Sequence, residues 1–241
     1  VSRWYCALYW RYRRAAFFFF LIMAERPNGK IGGPPPPRPE GWDLANDQEA
    51  AVAARERRRL ETLREYRILD TAPEAAFDRV TKLVADLFDA PIALVSLVDD
   101  CRQWFKSAYG LDVPETSRDI SFCQFVVADD RPLVVTDVLA DDRFAANPLV
   151  TGEPFIRFYA GVPLRAYNGD VLGTLCIIDR KERLVLEARE MERLEDFAAI
   201  IMAEADLRRI VFERDDARRT LERALDFSGI ATWQYDARTD R

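Results

Sequence analysis

Four cysteines, Cys6, Cys101, Cys123 and Cys176, stand in a chain of 241 residues that contains no histidine. The missing histidine excludes Ser-His-Asp and Cys-His nucleophilic catalysis, His-ligated metal sites and a phosphoaccepting histidine within these residues. The cysteines have no C-x-x-C spacing, so neither a zinc site nor a dithiol redox motif is read from them, and no metal is expected. A reactive thiol needs a cationic or helix-N-terminal environment to lower its pKa. Cys123 comes nearest, because Ser121 is a candidate N-cap for a short helix through Ala128. A free cysteine that simply fills a core is the commoner case. A thiol enzyme would need two of Cys101, Cys123 and Cys176 close enough to bridge, and the idea fails if they are mutually distant or wholly buried.

Trp104, Phe105, Phe158 and Tyr159 lie in segments patterned as strands. With Ser121, Cys123 and Cys176 they are the candidate lining of a ligand pocket, although strand alternation sends about half of such residues to the opposite face. Arg102, Lys106, Arg118, Arg143 and Arg157 are candidates to pair with Asp99, Asp137, Asp141 or Asp179. The chain has no Walker loop, GxSxG elbow, HExxH or paired-carboxylate signature, and it is expected not to be an enzyme. GxxLGT at Gly169–Thr174 reads as a strand turn.

These residues need a scaffold of strands and helices. Ile92–Asp99 reads as a central strand, and Cys101–Gly110 as its antiparallel neighbour across a turn at Asp99-Asp100. Phe158–Arg165 and Val171–Asp179 form a hairpin turning at Asn168-Gly169-Asp170, and Pro132–Val138 is a third strand segment. The pattern is that of a half-buried antiparallel sheet between helices. Asp47–Tyr66 reads as a charged helix. A second helix starts at a T-x-x-E capping box, Thr71 to Glu74, and carries Phe77, Val80, Leu83, Val84 and Leu87 as its apolar face. Ala140–Phe155 is a long polar connection of the kind that covers pockets.

From Leu186 to Leu225 the chain is helical again. Met191, Leu194, Ala198, Ile201 and Ala205 follow the 3-4 spacing of a dimer seam, which Arg208 interrupts. The competing reading is a helix packed on its own sheet.

Charge is uneven. Residues 1–40 hold seven basic residues against two acids, which leaves −11 of the overall −6 to the remainder. An acidic body argues against nucleic acid as a partner. The first 24 residues set basic and aromatic residues before the run Ala15–Ala24, which at ten residues is too short to span a bilayer. A start at Met23 after an upstream translation artefact, a peripheral anchor and a degenerate membrane segment are all open. Asn28–Trp42 is a Gly/Pro linker. With free thiols and no export signal, the expected compartment is the cytoplasm.

RQWFKS at Arg102–Ser107, SFC at Ser121–Cys123, DxRFxxNPLVxG at Asp141–Gly152, and YAGxPL with GTLCxxD between Tyr159 and Asp179 together resemble the GAF family of sensory domains. The resemblance implies an α+β fold, a GAF-like central antiparallel sheet flanked by helices with a long C-terminal signalling helix. It implies a sensory input module of a bacterial signal-transduction protein, homodimeric and binding an unknown small molecule. Its output domain would lie on the same longer polypeptide, a histidine kinase or diguanylate cyclase. A structural dimerisation module without ligand, and a thiol-based redox sensor or methionine sulfoxide reductase-like enzyme, are the alternatives. Gln124 stands where bilin-binding members have His after the cysteine, and the Asn-Lys-Phe-Asp-Glu set of cyclic-nucleotide binders is missing, so neither ligand is expected. Residues 222–241 resemble the start of a PAS domain. The resulting division is a disordered segment and linker at 1–46, the GAF domain at 47–185, the signalling helix at 186–225 and the truncated PAS start at 226–241.

Overall fold

The computed structural model describes residues 42–183 and 186–228. The expectations for residues 1–41, and for residues 229–241 of the PAS-like segment, lie outside them. The chain divides into two units between Ala54 and Arg55. In the first, the described residues are helical from Trp42, five positions before the expected start at Asp47. The second unit carries the fold described here.

In chain order the elements are α1 (Trp42–Glu65), α2 (Ala75–Leu87), β1 (Ile92–Val98), β2 (Arg102–Tyr109), β3 (Glu115–Ser117), a 3-10 turn (Arg118–Ile120), α3 (Cys123–Asp129), β4 (Leu133–Val135), α4 (Pro148–Thr151), β5 (Phe158–Arg165), β6 (Val171–Asp179) and α5 (Ala188–Ser228). The six strands form one sheet in the order β3-β2-β1-β6-β5-β4, antiparallel throughout. The hairpin β5–β6 has the expected bounds. The edge strand β3 had no signal in its three residues, and the expected Pro132–Val138 strand shrinks to three residues because only Leu133–Val135 pair with β5.

The sheet is covered on both faces and not on one. All seven residues of β1 are buried, and so are eight of the nine in β6. Alternation divides them between two cores. One packs Val95, Leu97, Phe158, Val162, Leu175 and Ile177 beneath α1, α2 and α5. The other packs Ile92, Leu94, Tyr159, Cys176 and Ile178 beneath α3 and the long connection to β5.

Several sequence expectations are corrected. Met191, Leu194, Ala198, Ile201 and Ala205 are not a free seam: Leu194, Ala198, Ile201 and Ala205 are buried in the first core and Met191 packs against it. The 3-4 spacing of α5 is the signature of a helix lying on its own sheet. On α2, Leu83 and Leu87 are exposed, and Phe77, Thr81, Val84 and Ala85 form the buried face. The capping box does not form. Thr71 donates its hydroxyl to the Ile68 carbonyl, and Glu74 accepts from Lys106 and from Arg208 of α5.

That diversion of Glu74 follows from β2. The register with β1 slips between Val95 and Ser96, a bulge that leaves Lys106 as the extra residue. The Lys106 side chain is fully buried and satisfied by Thr71 Oγ1 at 2.8 Å, the Ala72 carbonyl at 2.9 Å and Glu74. Arg208, the residue that breaks the heptad pattern, bonds Glu74 and the carbonyls of Tyr66 and Arg67. Tyr66 Oη donates to Asp206 at 2.6 Å. Of the remaining basic candidates, Arg102 and Arg143 pair with an expected aspartate, whereas Arg118 and Arg157 find other partners. Arg102 adds Asp70 and Glu115 to Asp99, and Arg118 binds Glu56. Arg143 pairs with Asp141, and Arg157 donates to the carbonyls of Val150 and Ile156.

Removing one partner of a buried pair leaves the other uncompensated. Glu74→Ala is expected to lower stability by about 2–3 kcal/mol in urea unfolding, less than a wholly buried pair because Glu74 is partly exposed. Lys106→Met in the Glu74→Ala background should recover much of that loss.

A second expectation concerns acid. Asp170, buried in the β5–β6 turn, is pushed up by burial, but Arg58, Thr62 and Asn168 outweigh it and hold its carboxyl below the usual range. Its contribution is therefore complete above the ordinary carboxylate pKa and is lost as pH falls through the lower folded value. Asp170→Asn should flatten the acid limb of a stability-versus-pH curve below about pH 4.

Candidate functional site

A cavity of about 350 Å³ opens between the second face of the sheet, the start of α3 and the two long connections. Its floor is Ile92 and Leu94 of β1, Phe105 of β2, Tyr159 of β5 and Ile178 of β6. Leu149, Glu153, Pro154 and Ile156 close one side, so the 140–155 connection does cover a pocket. This connection has packing of its own. Asn147 caps α4 by accepting from Leu149 N at 2.9 Å and donates to the Ile120 carbonyl. Phe144 is buried and stacks on Phe122 with centroids 4.1 Å apart.

Of the seven sequence candidates, Phe105, Ser121, Cys123 and Tyr159 reach the cavity wall. Trp104 and Phe158 belong to the other core, because each is the strand neighbour of a lining residue and points the opposite way. Cys176 lies behind Cys123, with the sulfurs 3.9 Å apart. Cys101 sits apart in the β1–β2 turn, half-buried. Ser121 occupies the position before the N-cap: its hydroxyl meets Gln103, and Gln124 N lies 3.3 Å away.

The wall is mostly apolar, with few polar groups. Thr116 Oγ1 is buried and has no hydrogen-bond partner. Asp112, Glu115 and Glu153 bring three carboxylates to the lining against one guanidinium, Arg180. A phosphate would meet repulsion there and few donors. A neutral or cationic, largely apolar molecule fits the volume and the lining. Sequence reasoning overlooked Leu94 and Gln103, which the parity of Phe105 and of β1 could have placed. It had no signal for Thr116, whose strand is three residues long.

Around the sulfurs the packing is tight. Tyr159 Oη lies 3.3 Å from Cys123 Sγ. The tyrosine ring reaches there by lying across Gly161, two positions along β5, where any Cβ would overlap the ring. Ser96 and Thr174, paired across β1 and β6, bury hydroxyls that have no partner of normal geometry. Burial raises the Cys123 pKa, but donors from Cys176, Thr174, Tyr159 and Ser96 outweigh it and bring it down to about 6. Its bond to Cys123 and its burial push Cys176 the other way. Burial and the two sulfurs keep the Tyr159 phenol protonated, so it can only donate to a thiolate.

A model of the GAF domain family matches residues 72–204, more than half of the chain and the whole sheet. The chain belongs to the GAF family. The chain is 42% identical over 136 residues to a protein of Pseudomonas aeruginosa named a cyclic di-GMP phosphodiesterase, an alignment covering 56% of this chain and 23% of that relative. Solved structures with similar chains include the GAF domain of an Acinetobacter phosphoenolpyruvate-protein phosphotransferase, at 18% identity and TM-score 0.48, over 64% of this chain and 97% of that one. Another is the free methionine-R-sulfoxide reductase of Neisseria meningitidis, at 19% identity and TM-score 0.47, over 67% and 93%.

The expectation that the chain is not an enzyme is overturned. A relative at 42% identity carries an enzyme's name, so the lack of catalytic motifs in these residues does not make the protein non-catalytic. Among the described residues no helix is long and apolar enough to cross a membrane, and no group of His, Cys, Asp or Glu is arranged for a metal.

Gly161→Ala must move Tyr159 off the sulfurs. Overpacking of this kind costs about 1–3 kcal/mol, and denaturant unfolding should show that loss, with a smaller loss in a Gly161→Ala/Tyr159→Phe double variant.

Proposed function

We propose that this GAF domain is a sensory input module in which a small, neutral or cationic, mainly apolar ligand occupies the cavity. The observation that carries the reading is the cavity itself, formed on one face of a sheet whose other face holds α5. A ligand pressing on Leu94, Tyr159 and Ile178 bears on β1, β5 and β6, and the alternate residues of those strands carry α5. The Lys106–Glu74–Arg208 contact ties that helix to β2 and gives the signal a defined point of leverage. The Pseudomonas aeruginosa relative favours cyclic di-GMP turnover as the output over a histidine kinase.

A second copy of the chain is the proposed partner of α5. Opposite its buried face, Ile200, Ala203, Leu207, Ile210, Ala217, Leu221 and Ala224 are exposed and keep the 3-4 spacing, with Arg214 as the one charged seam position. This is a seam distinct from the one expected from sequence, and it runs for four heptads.

Native mass spectrometry of the full chain, compared with its denatured mass, tests the ligand. A released small molecule is expected, and Leu94→Trp should abolish it while leaving the fold intact. A bare protein after incubation with cell extract would overturn the reading. Light scattering tests the seam. Leu207→Glu/Leu221→Glu is expected to give a folded monomer, and an unchanged mass would defeat the dimer.

A further inference from the structure

We propose that Cys123 and Cys176 are a hydroperoxide-reactive thiol pair whose oxidation to a disulfide reshapes the cavity wall. Cys123 belongs to the cavity wall with 1% of its surface exposed, and the wholly buried Cys176 stands behind it on strand β6, so an oxidant in the cavity meets the Cys123 sulfur first once the wall at the start of α3 gives way. The sulfurs are in van der Waals contact at 3.9 Å. Cys123 is the first residue of the seven-residue helix α3, so α3 is the element that can carry it the further distance to bonding. Two features of the surrounding packing point the same way. Ser96 and Thr174 each bury a hydroxyl with no partner of normal geometry, an arrangement costly beside a neutral apolar group and favourable beside a sulfur anion. The space a Cβ would take at Gly161 is filled by the Tyr159 ring, whose hydroxyl meets Cys123.

The chemistry balances with a hydroperoxide as the oxidant. The Cys123 thiolate attacks the outer oxygen of R–O–O–H, the O–O bond breaks, and the alkoxide takes up the proton that Cys123 had released, leaving as R–OH. Cys123 is then a sulfenic acid. The Cys176 sulfur attacks it, the S–O bond breaks, and hydroxide leaves as water with the Cys176 proton. Two thiols and one hydroperoxide become a disulfide, an alcohol and water. The apolar walls at Leu94, Phe105, Leu149 and Ile156 favour an alkyl hydroperoxide over hydrogen peroxide. Drawing Cys123 toward β6 shifts Phe122 and Ser121, which belong to the same wall, and with them the size of the site.

The test treats the full chain with cumene hydroperoxide or hydrogen peroxide and maps cysteine peptides by mass spectrometry. A Cys123–Cys176 disulfide is expected, formed at least tenfold faster with cumene hydroperoxide. In Cys176→Ser, dimedone should trap a sulfenic acid at Cys123, and in Cys123→Ser neither product should form. Tyr159→Phe should raise the pH midpoint of Cys123 oxidation, a change that a purely structural tyrosine would not cause. Oxidation of Cys101 while Cys123 and Cys176 stay reduced would overturn the proposal, as would equal rates with both peroxides for its alkyl specificity. The cavity is shared with the proposed ligand, but the two ideas fail separately: a bare native mass leaves the disulfide to be found, and an unreactive pair leaves a bound ligand to be weighed.

Discussion

Both faces of the central sheet are closed, and this constraint decides nearly everything else in the domain. When an antiparallel strand is covered on one side only, alternation separates core from solvent. Here it separates two cores that do different work. Ala93, Val95 and Leu97 support the helices that leave the domain, whereas Ile92, Leu94 and Ser96 face the cavity and the sulfurs. A change felt by one set shares a backbone with the other, so the sheet itself couples the two compartments.

The bulge in β2 shows how one local irregularity is used. Lys106 follows Trp104 by two residues onto the helical side of the sheet, where a carboxylate becomes obligatory, and the bulge lets Ser107 face that side as well, toward Asp78. Glu74 supplies the carboxylate for Lys106 and gives up the capping role that its spacing from Thr71 suggested. Arg208 then joins the same carboxylate from α5. A residue that interrupts a heptad pattern is thus the one that fixes the helix to the domain.

On the cavity side the sulfur cluster is held by neutral donors alone, with no guanidinium or ammonium among the groups that lower the Cys123 pKa. Such a site accepts a thiolate only because several hydroxyls converge on it. Gly161 is the position where that convergence is decided, since a side chain there and the Tyr159 ring would claim the same space.

The order of elements, the β5–β6 hairpin, the covering connection and the family were legible from residues 92–179 because turns, alternation and local motifs are short-range properties. The alternation that placed Phe105 and Tyr159 in strands also implied that Trp104 and Phe158 would face away, yet which of each pair met the cavity depended on what covered each face. The 3-4 spacing of Leu194, Ala198, Ile201 and Ala205 was read correctly as a helix face. Whether that face met a second chain or its own sheet was a tertiary matter, because an apolar stripe is satisfied by any apolar surface of fitting shape. The meeting of Cys123 with Cys176, 53 residues apart, and of Glu74 with Lys106 and Arg208, arose only when the sheet closed, since no local interaction brings such distant side chains together.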